Sequence, residues 1–115
     1  FNFLSKHSGD GAEKLIPAGH NVAGDLQFLD ENLIKRKTYQ KWGSYRVVDT
    51  GVFAQIMRLG GEIPEDVQAS LESLVEYFHV KSRYPPHTAK GDTWAVVDLL
   101  PAMMEWVGMV FPAAI

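Results

Sequence analysis

Arg83 and His87 stand four positions apart in the run Phe78-His79-Val80-Lys81-Ser82-Arg83-Tyr84-Pro85-Pro86-His87, where cationic, titratable and aromatic side chains converge. An arginine offers a permanent forked cation for a phosphate, and a histidine moves a proton near neutral pH. Together they could bind a phosphodiester and do acid–base work on a ribose 2′-hydroxyl. His79, Lys81 and Tyr84 add charge and a stacking surface, so they are the candidate nucleotide- or RNA-binding residues beside Arg83. The competing reading is structural: an arginine past a helix end can bond the free carbonyls, and a loop histidine can be merely exposed.

Other constellations are poorer. His20, His79, His87 and Asp92 are all potential ligands, but there is no His-Glu-x-x-His, no short paired histidine spacing and no cysteine, so no metal site and no cofactor are expected. Asp98 and Glu105 are expected to pair with Arg58, Lys81 or Arg83, because a carboxylate on an apolar helix needs a partner. No Gly-x-Ser-x-Gly elbow supports a nucleophilic serine, and neither Gly9-Asp10-Gly11 nor Gly60-Gly61 carries the tail of a phosphate loop.

With 115 residues and 46% hydrophobic content, the chain is the size of a single helical domain spanning 1–115. The absence of cysteine removes disulfides and thiolate chemistry and fits a cytoplasmic setting. A net charge of −3 argues against a surface that coats nucleic acid indiscriminately, while Lys35-Arg36-Lys37 reads as a solvated helix end. Phe1-Asn2-Phe3-Leu4 has neither an initiator methionine nor a signal layout, so residues are expected to precede it. Leu99–Ile115 is apolar apart from Glu105 but contains Pro101, Gly108 and Pro112, and is read as a buried helix with no membrane span.

The elements that must position these residues follow from periodicity. Ala12–Ile16 could make a helical turn before Pro17. Val22, Leu26, Leu29 and Leu33 predict a helix capped by Asn21, with Lys35–Lys37 at its negative end. Residues 39–48 are rich in aromatic and β-branched types around Gly43, and read as a short β-hairpin or an extended connector. Asp49 or Thr50 starts a short helix stopped at Gly60-Gly61. Pro64, Glu65 and Asp66 suit a first turn, and Val67, Leu71, Leu74, Val75 and Phe78 form one stripe, predicting a helix from Pro64 to about Val80. Asp92 or Thr93 starts a last helix that is apolar on nearly every side, broken or kinked near Pro101. Such a helix suggests a face covered by a second subunit.

From Ile63-Pro64-Glu65-Asp66 through Leu74, Tyr77-Phe78, Ser82-Arg83-Tyr84-Pro85 and the last helix, about half of the chain resembles the HEPN family of small helical proteins. Gly19-His20-Asn21 with Leu26, and Ala12-Glu13-Lys14, echo upstream elements of that family. The resemblance implies an all-α antiparallel helical bundle that forms a homodimer with arginine and histidine facing a shared groove. Many members are metal-independent ribonucleases, often toxins, and others partner a nucleotidyltransferase or bind nucleotides. Carried over, Arg83 takes the phosphate-contacting role and His87 the proton-transfer role. The alternative is a non-enzymatic interaction module that oligomerises through its apolar C-terminal helix.

Overall fold

Proline and glycine break the first part of the chain into short pieces, which the computed structural model joins by parallel contacts. The described residues are 14–44 and 46–110, and the chain divides into two compact units that part between Asp49 and Thr50. The Ala12–Glu13 portion of the expected first turn, and Phe1–Leu4, lie outside the described residues.

In the first unit, β1 (Ala18–Gly19) pairs in parallel with β2 (Val48–Asp49), and Leu15 bridges Gly43 in the same sense. Leu15 is therefore part of an extended segment and not of a helical turn. Its N–H donates to Trp42 and its carbonyl accepts from Ser44, both at 2.8 Å. No hairpin forms among the described residues of 39–48. Tyr39 ends a helical turn, and Gly43 and Val48 pair with the distant 15–19 segment. Gly43 suits this because the Tyr39 ring occupies the space a side chain there would need. The Tyr39 hydroxyl donates to the Ser44 carbonyl at 3.2 Å, and burial pushes the phenol above its ordinary range, so it stays a neutral donor.

Helix α1 (Val22–Asn32) begins as its periodicity predicts, but its cap comes from elsewhere. Asn21 sits in the left-handed region at φ 57° and its side chain makes no capping bond, because capping by the residue's own side chain needs an extended backbone there. The Asp49 carboxylate caps instead: one oxygen accepts the Asn21 N–H and the other the Val22 N–H, each at 2.9 Å. Lys35–Lys37 do not close α1, which has no basic residue in its last turn; Arg36 opens the single turn α2 (Arg36–Tyr39), and its N–H donates to Asp30 at 2.8 Å.

The second unit contains α3 (Thr50–Leu59), α4 (Leu71–Tyr77) and α5 (Ala89–Trp106), with α5 packed against both α3 and α4. Leu74, Leu99 and Met103 are fully buried at the centre, with Ala54, Met57 and Ile63 around them. Each helix ends in the same double closure. After α3, Glu62 and Gly61 donate to Met57 and Arg58; after α5, Met109 and Gly108 donate to Met104 and Glu105. Gly61 and Gly108 take the positive φ this motif requires.

The helix predicted from Pro64 is shorter than its apolar stripe. Pro64–Ala69 forms turns, Ser70 caps α4 by accepting from Ser73 N–H at 3.2 Å, and the helix stops at Tyr77. The helix starts only after the Ser70 cap, and in the non-helical stretch before it the Val67 carbonyl accepts from the Arg58 guanidinium. Val67 and Ala69 still pack on the core, so their apolar character reflects burial without helix. The last helix begins earlier than predicted, at Ala89, because Thr88 caps it; Thr93 instead bonds back to the Ala89 carbonyl at 2.7 Å from inside the helix. Pro101 lies within this unbroken helix.

Helix dominates the described residues, with five helices and one short parallel strand pair. None of these helices is long and apolar enough to cross a membrane.

Asp49→Ala is expected to destabilise the first unit by about 1–3 kcal/mol, because two backbone donors lose a charged acceptor. Urea unfolding and faster amide exchange at Val22 check this, and Asp49→Asn, which keeps one acceptor, should cost less.

Candidate functional site

Every residue from Lys81 to Lys90 is exposed, and the segment linking α4 to α5 is shaped from its two ends. At the first end, His79 occupies the position after the α4 cap, where its N–H donates to Glu76 and the Val80 N–H donates to Val75. This is the closure that Gly61 and Gly108 make after the other helices, yet here a histidine adopts φ 55°. The backbone role accounts for the position of His79 without any ligand.

At the second end, the Thr88 hydroxyl accepts from the Gly91 N–H at 2.9 Å and donates to the Pro85 carbonyl at 2.7 Å. A side chain at Gly91 would strike that carbonyl, so the glycine lets the Pro85–Pro86 loop lie directly on the start of α5. His87 is held beside it at φ 61°, with its N–H donating to Asp92 at 3.2 Å and its ring Nε2 3.7 Å from Glu72.

Between these ends, the Arg83 guanidinium donates to Asp98 at 2.8 Å and lies 4.7 Å from the centroid of the Trp94 ring. Trp94 and Asp98 are one helical turn apart on α5, so a single arginine spans both. Tyr84 lies 6.3 Å from Trp94, and Lys90 Nζ is 4.2 Å from the other ring of this pair, Tyr84. Arg83, Trp94, Tyr84 and Lys90 thus form a chain of cation and ring contacts in which both cations meet aromatic surface. Asp98 finds a cation from the expected set. Arg58, another member of that set, goes to the Val67 carbonyl instead.

Arg83 and His87 open onto different concavities. Arg83 lines one of about 590 Å³ with His79, Lys81 and Asp98. His87 lines another of about 430 Å³ with Tyr84, Glu72, Glu76 and Asp92. Three carboxylates beside His87 make its surroundings repel an anion, whereas the Arg83 side has three basic or titratable residues and one carboxylate. Among the described residues, no group of three or more His, Asp or Glu side chains could hold a metal ion.

Trp94, Lys90 and Glu72 were not singled out by the sequence. The one available signal was the four-residue spacing of Trp94 and Asp98; Glu72 comes from a different helix and gave none.

A double-mutant cycle on Arg83→Met and Asp98→Asn is expected to give a coupling of about 0.5–1 kcal/mol, modest because the side chains are 53% and 21% exposed. His79→Gly is expected to raise stability by about 0.5–1 kcal/mol, since relief of the left-handed backbone exceeds the added chain entropy. Thermal or urea unfolding measures both.

No family model matches the chain, and neither does any curated protein or solved structure.

Proposed function

We propose that the chain is a non-enzymatic interaction module that pairs with a second copy of itself through the end of α5. The observation that carries this reading is an aromatic cluster at the surface. Tyr77, Phe78 and Trp106 meet edge-to-face or tilted with ring centroids 5.1–5.9 Å apart, while Trp106 remains 53% exposed. Met109 and Val110 follow, at 51% and 89% exposed. Large aromatic side chains already ordered by their neighbours lose little entropy on association and are favoured as interface anchors. The acidic residues of α5 near this end are Asp98, which Arg83 neutralises, and Glu105. Exposed aromatic and aliphatic side chains of this kind suit a like apolar face better than a strongly charged partner.

In this reading Arg83 and His87 brace the loop over α5. The pairing of Arg83 with Asp98 and the carboxylates around His87 support it, because a phosphate would have to displace the first and overcome the second. A second reading, a HEPN-like antiparallel bundle that binds nucleotide or RNA and partners a nucleotidyltransferase, is favoured by one observation: His79, Lys81 and Arg83 line the same concavity. There Arg83 would contact phosphate and His87 would transfer the proton.

Sedimentation equilibrium is expected to find a dimer whose dissociation constant rises about thirtyfold in Trp106→Ala, with Val110→Asp giving monomer and circular dichroism unchanged. Cleavage of single-stranded RNA without added metal, lost in Arg83→Ala and in His87→Ala, would replace this reading with the second. A wild-type monomer at all concentrations would end it outright.

A further inference from the structure

Between α1 and α2 lies a concavity of about 380 Å³, within the size range of small-molecule sites. Leu26, Leu29 and Ile34 supply apolar wall, and Asp30 and Arg36 place opposite charges on the same lining. Among the described residues no ion pair joins these two, and no hydrogen bond or ion pair engages the Arg36 guanidinium. Asp30 uses Oδ1 to accept the Arg36 backbone N–H, which leaves Oδ2 for another donor. Tyr39 completes the lining, with its hydroxyl turned to the Ser44 carbonyl.

We infer that this concavity binds a small zwitterion with an apolar body, a free α-amino acid with an aliphatic side chain. The carboxylate meets the Arg36 guanidinium, which presents forked donors matched to that group. The ammonium meets Asp30 Oδ2, an acceptor left free by the bond from the Arg36 backbone. The side chain lies against Leu26, Leu29 and Ile34. A simple carboxylate satisfies Arg36 but faces Asp30 with like charge, and a simple amine has the converse fault. Only a molecule carrying both charges pairs each group with its opposite.

Calorimetric titration of the full chain with L-leucine tests this, with NMR shifts of the Leu29 and Ile34 methyl groups locating the ligand. L-leucine is expected to bind, while its methyl ester and N-acetyl-L-leucine, each lacking one charge, bind about tenfold or more weakly. Arg36→Met and Asp30→Asn should each weaken L-leucine by a similar factor. The first removes an exposed side chain while keeping the backbone N–H, and the second keeps an acceptor for it, so α2 is retained. No binding at millimolar L-leucine overturns the inference, as does equal binding of either blocked analogue or undiminished binding by Arg36→Met. Dimerisation through α5 does not enter any of these outcomes.

Discussion

Short helices leave a large share of their backbone groups without intrahelical partners, and satisfying those groups governs much of this structure. Asp49 closes the start of α1 and Asp30 the start of α2. Ser70 and Thr88 do the same for α4 and α5. The ends of α3, α4 and α5 share one double closure. With α4 only seven residues long, its ends are most of the helix, and its core contribution comes chiefly from the buried Leu74.

The same requirement shapes the loop between α4 and α5. His79 is where the α4 closure needs a left-handed residue, and His87 takes a left-handed backbone just before the Thr88 cap of α5. The Thr88 hydroxyl holds the loop by its Pro85 carbonyl while capping Gly91, so proline, threonine and glycine make one joint. Arg83 is then placed over Trp94 and Asp98. Residue types suited to phosphate chemistry are in this way drawn into contacts that hold a loop on a helix.

Legibility differed from element to element for physical reasons. The helix ending at Gly60-Gly61 was readable because glycine at a left-handed position is a local requirement. The helix expected from Pro64 starts only at Leu71 because burial and helix impose the same apolar stripe: Val67 and Ala69 pack on the core without being helical, and Ser70 caps the helix that follows. The cap of α1 was misassigned because Asn21 is a good capping residue only in an extended conformation, and a carboxylate 27–28 residues away does the work. At the site, the pairing of Asp98 with a nearby cation was foreseeable from the cost of an unpaired carboxylate, whereas Glu72 beside His87 was not.

Dominance of helix, exclusion of cysteine chemistry and interruption of the helical pattern at Pro85–Pro86 follow from composition, periodicity and proline geometry, which act within a few residues. The parallel pairing of 18–19 with 48–49, the distribution of Arg83 and His87 between two concavities, and the placement of Asp30 and Arg36 on one concavity arise in three dimensions. Those depend on how the chain folds back on itself and which groups that brings into bonding distance, and spacing along the chain does not encode that outcome.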